Sequence, residues 1–289
     1  MHCYHCGTEL PPNARFCPNC GKPQDRTTET AHSKTDQHYR LDFDGDVPKQ
    51  ITEIFFDRLA QRVREEFRAE LQADYVEHLY TTNFRDTVQL RSQQLAQEAA
   101  QIQGDYFDAD ERLPYFLGEQ LEDLLDYYII HFCKPLNPIA LPDAMLRYQN
   151  RSLRDIDPFQ MTLDYLDFSN EKQTVYTDFV TMPVEKLKNA SQSYLFPKQN
   201  ERIFFICDQS LFGSAKEGFA MTERGLYWKA HLQPAHAVAY DDLKTLKKEK
   251  SWLVINDRFF NVNPSINLKM LKLLQKWQRL MAAPDLRED

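Results

Sequence analysis

Apolar residues recur every three or four positions through the middle of the chain, with charged and polar residues between them. This spacing is typical of helices that bury one face. It predicts three successive helices, over residues 48–80, 83–105 and 112–132. Asn83 is a suitable N-terminal cap for the second helix, and three prolines between residues 135 and 142 end the pattern. We therefore predict a helical region over residues 47–150.

The pattern changes after residue 150 to short apolar stretches of strand length. Predicted strands occupy residues 203–207, 218–222, 226–228, 237–240, 252–255 and 258–262. Tight turns are predicted at Glu223–Gly225 and Asn256–Asp257. The chain closes with an amphipathic helix over about residues 265–281, and we expect its basic face to be solvated. That face consists of Lys269, Lys272, Lys276 and Arg279.

The composition supports a packed protein divided into modules with different charge. Of the 289 residues, 42% are hydrophobic and 27% are charged, which argues against a wholly disordered chain. Residues 41–150 carry 10 basic and 21 acidic side chains, whereas residues 200–281 carry 13 and 8. No stretch approaches the roughly 18–20 apolar residues that span a bilayer, and the N-terminus lacks the apolar core of a signal peptide. We therefore expect a cytoplasmic protein.

Two Cys-x-x-Cys pairs lie within the first twenty residues. The two-residue spacing lets both sulfurs of a pair converge on one ion, so that each pair supplies half of a tetrahedron with Zn–S distances of about 2.3 Å. This pattern resembles the zinc-ribbon family, over residues 1–24. It predicts one structural Zn²⁺ with no open coordination position. The predicted ligands are Cys3, Cys6, Cys17 and Cys20.

Residues 25–46 contain little to bury and are predicted to form a flexible linker. Its last residues, Asp42–Asp46, have the alternating carboxylates of a calcium loop. However, Val47 occupies the position where such a loop needs glycine for its sharp turn. An N-terminal cap and acidic entry to the first helix explain the same residues, and this is the interpretation we favour.

Other side chains that resemble catalytic groups have simpler explanations. Cys133 and Cys207 lie in apolar runs and are predicted to be small buried hydrophobic residues rather than nucleophiles. The third helix carries an acidic stretch that resembles paired catalytic carboxylates but is more often a solvated face. It consists of Glu119, Glu122, Asp123 and Asp126.

The segment over residues 211–229 is similar to a segment of bacterial PH-like domains, and the similarity extends over about residues 195–282. It implies a small β-barrel capped by the C-terminal helix, and a binding scaffold rather than an active site. With the connecting segment before it, the PH-like domain is assigned to residues 151–289. The expected fold is thus multidomain α+β, with a zinc ribbon, a helical middle region and a PH-like barrel.

Four lysines lie within seven residues of the predicted PH-like domain. They are Lys244, Lys247, Lys248 and Lys250. In such a domain, a basic cluster is able to bind an anionic lipid headgroup or a partner. Asp241, Asp242 and Glu249 lie beside the cluster, so a solvated loop is the interpretation we favour.

These features favour a non-enzymatic bacterial adaptor or regulatory protein that binds partner macromolecules, foremost proteins, through its zinc ribbon and PH-like domain. One alternative is a nucleic-acid-associated factor that uses the ribbon and the Lys244–Lys250 cluster. Another is an enzyme with a site in the acidic helical region. The sequence leaves both nucleic acid and anionic lipid headgroups open as partners.

Overall fold

The structure is a computed structural model that describes residues 40–178 and 180–282. The described residues divide into two units, 40–155 and 156–282. The predicted zinc ribbon at residues 1–24 and most of the predicted linker lie outside the described residues. Within the described ranges, no helix combines the length and apolar composition needed to cross a membrane.

The first unit is helical, as predicted. Its α-helices are α1 (Val47–Glu66), α2 (Gln72–Thr81), α3 (Phe84–Asp105) and α4 (Ala109–Tyr127), and α4 continues into a π-helical turn over Tyr128–Phe132. Asp46 is the N-terminal cap of α1, because its carboxylate accepts the Lys49 N–H at 3.1 Å. The acidic segment before α1 therefore enters a helix, as the sequence indicated.

The helix predicted over residues 48–80 is interrupted between α1 and α2. At the end of α1, the Phe67 N–H still donates to Val63 O, but the backbone then leaves the helix and forms a short 3₁₀ turn at Ala69–Leu71. The interruption lets the Phe67 ring stack on Tyr75, with ring centroids 5.7 Å apart. The apolar spacing continues across the break, so it gave no sign of the turn.

The core of the first unit lies between α1, α3 and α4. Each of these helices buries the apolar stripe that its spacing predicted. Completely buried members include Ile51, Phe55, Leu59, Val63, Val88, Leu95, Ala99, Leu117, Leu121 and Leu125. Burying one large aliphatic or aromatic side chain stabilises a fold by about 1.5–3 kcal/mol, so each of these larger residues contributes to the stability of the unit.

The second unit begins with helices α5 (Pro158–Leu166) and α6 (Val184–Ser193), separated by the short strand β1 (Thr174–Tyr176). One antiparallel sheet has the order β1-β2-β3-β4-β5. Its further strands are β2 (Ile203–Asp208), β3 (Gly218–Thr222), β4 (Gly225–Lys229) and β5 (His236–Ala239). The second sheet contains β6 (Leu246–Glu249), β7 (Trp252–Ile255) and β8 (Arg258–Phe260), and helix α7 (Pro264–Ala282) follows.

The two sheets remain separate, so the closed barrel expected from the sequence is not found in the described residues. The chain leaves β5 through a 3₁₀ turn at Tyr240–Asp242 before it enters β6. This turn ends the β-ladder at Tyr240, whose N–H donates to Arg224 O at 2.9 Å. The observed fold is therefore mixed α+β, with a helical unit followed by two antiparallel sheets and a C-terminal helix.

Position 218, where β3 begins beside the end of β2, requires glycine. Gly218 has φ +142°, and a Cβ at this position would lie only 2.0 Å from the main-chain oxygen of Cys207. The two strands can approach this closely only because residue 218 has no side chain.

The predicted solvated basic face of α7 is wrong, because Lys269, Lys272 and Lys276 are all buried. Helix α7 packs against β6 and β7 and also against α5, which leaves little of its surface to solvent. The ammonium group of Lys269 donates to Glu171 Oε1 and to Asp167 O, both at 2.9 Å. A lysine that is only 4% exposed needs such partners, since a buried charge is costly unless it is paired.

Candidate functional site

The four predicted zinc ligands, Cys3, Cys6, Cys17 and Cys20, lie outside the described residues. Their geometry is therefore not part of the structure, and the prediction continues to rest on the sequence. In the residues that the structure does describe, no group of three or more His, Cys, Asp or Glu side chains is placed to hold a metal ion.

The two remaining cysteines are buried and free, as predicted. Burial raises the pKa of the Cys133 thiol to about 12 and also raises the pKa of Cys207 above its ordinary value. Both thiols are therefore protonated near neutral pH, and a protonated thiol is a poor nucleophile. Each behaves as a small apolar side chain within its core.

The acidic stretch of α4 does not form the solvated face expected from the sequence. Glu122 binds two arginines of α1: it accepts a hydrogen bond from Arg62 and one from Arg58 Nη2, the latter at 2.6 Å. Arg62, which is 5% exposed, also donates to Asp126 Oδ1 at 2.6 Å and lies 3.6 Å from Glu66 Oε1. We name Arg58, Arg62, Glu66, Glu122 and Asp126 the arginine–carboxylate network.

A neighbouring carboxylate, Asp123, holds the segment that follows the third predicted helix. Its Oδ2 accepts the Asn150 N–H at 2.9 Å, and its main-chain oxygen accepts Gln149 Nε2 at 2.6 Å. Like the network, Asp123 makes contacts that hold two parts of the first unit together. The observed contacts of these carboxylates are therefore structural ones.

The solvated loop favoured for residues 244–250 is wrong, because this segment contains strand β6, and the four predicted contact lysines lie in the strand or beside it. Lys244 precedes the strand, and its ammonium group lies 2.9 Å from Asp242 Oδ1. Lys247 and Lys248 occupy successive positions of β6, so their side chains point to opposite faces of the sheet. Lys250 follows the strand with a left-handed φ of 56°. The four ammonium groups thus do not share one face, and their role in binding an anion remains a prediction.

A cavity of about 420 Å³ lies beside β4 and β5 in the second unit, and none of the predicted site residues lines it. Strand residues Tyr227 and Ala237–Ala239 form one side, and Tyr240 and Met281 contribute apolar surface. Its charged lining residues are Lys198, Glu201, Glu223, Arg224 and Asp241. A volume of this size is sufficient for a small ligand or for a side chain of a partner.

Glu201 is the buried charged group of this cavity, with 8% of its surface exposed. Its Oε1 accepts hydrogen bonds from the Thr222 hydroxyl and, at 3.2 Å, from the Tyr227 hydroxyl. Its Oε2 accepts the Lys198 N–H at 2.7 Å. These donors are all uncharged, and Glu201 forms no ion pair with another described residue. These hydrogen bonds hold the carboxylate in one position, but no positively charged side chain among the described residues forms an ion pair with it.

The tyrosines that line the cavity are protonated hydrogen-bond donors. Burial, together with the nearby negative charge of Glu201, raises the pKa of Tyr227 to about 12. The Tyr240 ring stacks on Trp277 of α7, with ring centroids 3.9 Å apart and an angle of 7° between the planes. Its hydroxyl donates to Thr222 O at 2.8 Å. Tyr240 therefore gives the cavity a rigid inner wall.

Comparison with known proteins assigns the N-terminal segment. Residues 2–24 match the family model of the zinc-ribbon domain. The chain carries a zinc-ribbon domain. This domain contains both cysteine pairs, and a set of four thiolates suits Zn²⁺. No curated protein and no solved structure matches the chain.

Proposed function

We propose that this chain is a non-enzymatic adaptor or regulatory protein of the bacterial cytoplasm. It would bind partner proteins through its zinc ribbon and through a PH-like module in its C-terminal part. The zinc-ribbon match at residues 2–24 carries the proposal. Four thiolates fill the tetrahedral coordination of Zn²⁺, which leaves no position for a substrate or a reactive water. The metal then shapes a small surface that other molecules recognise.

The order of elements in the second unit supports the PH-like part of the proposal. Short antiparallel strands are followed by one C-terminal helix that packs on β6 and β7. The segment that resembles PH-like domains, residues 211–229, spans the end of the β2–β3 loop together with β3 and β4. A scaffold of this kind presents loops, strand edges and cavities to partners.

Capture of partners by the full chain tests this proposal. The chain is tagged in its native host as wild type and as the double variant Cys3→Ser/Cys17→Ser, and bound proteins are quantified by mass spectrometry after nuclease treatment. We expect a defined set of proteins to fall about tenfold or more with the variant, because its ribbon loses two of the four ligands that fold it. His5→Ser is the matched control, since a four-thiolate site does not use this histidine.

An identical set of proteins on wild type and double variant would contradict the proposal. So would captured material that disappears from the wild type on nuclease treatment, because the ribbon would then recognise nucleic acid rather than protein.

A further inference from the structure

Strand β5 forms an outer edge of the five-stranded sheet. The hydrogen bond from the Tyr240 N–H to Arg224 O identifies these two residues as a hydrogen-bonded pair of the β4–β5 ladder. Because such pairs alternate along an antiparallel ladder, the main-chain groups of Ala237 and Ala239 point away from β4. Both alanines are solvent-exposed. The strand therefore presents an open edge.

Two main-chain N–H groups along this edge have no partner among the described residues. Ala237 O accepts a hydrogen bond from Arg258 Nη1 at 2.6 Å. The N–H groups of Ala237 and Ala239 form no hydrogen bond with another described residue, whereas Ala239 O belongs to the 3₁₀ turn that follows the strand. An unpaired edge of this kind is a template for an added strand.

The cavity that contains Glu201 lies along the same edge, because Ala237, Val238 and Ala239 form part of its lining. In an added strand, every second side chain would point toward the face that carries the cavity. A lysine or arginine at such a position would give the buried Glu201 carboxylate the charged partner that it lacks. Charge-assisted hydrogen bonds of this kind are about twice as strong as neutral ones.

We propose that the β5 edge and the Glu201 cavity bind an extended peptide segment of a partner protein. The segment adds as a strand along Ala237–Ala239 and inserts one lysine or arginine side chain toward Glu201. This inference rests on the proposed adaptor function and specifies the chemistry of one partner. Main-chain hydrogen bonds supply affinity in this mode of recognition, and the cavity supplies specificity.

The substitution Ala239→Pro removes one N–H donor from the free edge of β5 without disturbing the sheet. Ala239 has φ −78° and ψ 151°, which proline adopts without strain. The N–H that proline removes faces the free edge, so the β4–β5 ladder is unchanged. Ala239→Ser is the matched control, because serine keeps the N–H. Thermal unfolding of both variants should follow that of the wild type.

The probe is a displayed library of random decapeptides selected on the full chain, from which binders are synthesised. We expect binders with one lysine or arginine flanked by β-branched residues. Replacing that basic residue by norleucine should weaken binding about tenfold or more, as expected for the loss of a desolvated charge pair. Ala239→Pro should abolish binding, and Ala239→Ser should leave it unchanged.

Binders that lack a basic residue, binders that retain full affinity for Ala239→Pro, or a library without binders would overturn the inference. Dimerisation of the chain that Ala239→Pro abolishes would also overturn it, by assigning the edge to a second copy. If the peptide experiment fails while the cysteine variant still loses its captured proteins, the adaptor function survives and only this inference is lost.

Discussion

Replacing Cys3 and Cys17 together with serine should abolish zinc binding by the full chain. Each Cys-x-x-Cys pair then loses one thiolate, and two remaining sulfurs cannot complete a tetrahedral site. A module of about twenty residues has almost no hydrophobic core, so its folding depends on the roughly 10–16 kcal/mol that structural zinc supplies. The zinc content should fall from about one ion per chain to almost none.

Elemental analysis of the purified chain after gel filtration measures this change. Residues 40–282 contain their own cores, so circular dichroism and thermal unfolding of the variant should remain close to those of the wild type. His5→Ser should keep its zinc. Wild-type protein purified without zinc, or a double variant that retains it, would refute the four-thiolate assignment.

Replacing Arg62 with methionine should lower the free energy of unfolding of the first unit by about 3–5 kcal/mol, the usual cost of breaking a buried ion pair by removing one partner. Arg62 contacts Glu66, Glu122 and Asp126 from within the packed unit. Methionine fills a similar volume but provides no positive charge. The carboxylates that remain would be partly buried and would repel one another.

Arg64→Met is the matched control, because Arg64 is an exposed arginine of the same helix. A surface substitution of this kind should change stability by no more than about 0.5 kcal/mol. Urea unfolding followed by far-UV circular dichroism reports the helices of both units. All three tryptophans lie in the second unit, so their fluorescence reports that unit separately. If Arg62→Met and Arg64→Met lowered the free energy of unfolding equally, the prediction would be wrong. The ion pairs of the arginine–carboxylate network would then add nothing to the stability of the first unit.

The helices of the first unit, helix α7 and six of the eight described strands follow from local patterns, whereas α5, α6, β1 and β6 are not predicted. What packs against a helix does not follow from such patterns either. The apolar period predicts α3 and α7 closely, and turn residues predict β3 and β4. Asn83 does precede α3, but its side chain makes no capping hydrogen bond. The buried lysines of α7 were mistaken for a solvated face, because the sequence of α7 does not reveal that α5 packs on it as well as the sheet. The same limit applies to Glu122, whose arginine partners lie about sixty residues earlier in the chain.

The candidate sites show the same contrast. The zinc motif can be recognised from the sequence, because its four predicted ligands lie within twenty residues and their spacing is typical of a tetrahedral zinc site. The Glu201 cavity has no comparable signature, since its lining extends from Lys198 to Met281. Within its own segment, Glu201 is one more polar residue before a strand. Only the packing of β3, β4 and β5 beside it makes it a buried carboxylate.

X-ray absorption at the zinc edge of the full-length protein tests most directly whether the metal shapes a binding module or performs a reaction. A closed structural site predicts a first shell of four sulfur atoms at about 2.3 Å. A shell of three or fewer sulfurs with a nitrogen or oxygen ligand would leave an exchangeable position of the kind that catalytic zinc keeps. That result would contradict a protein whose ribbon serves recognition alone.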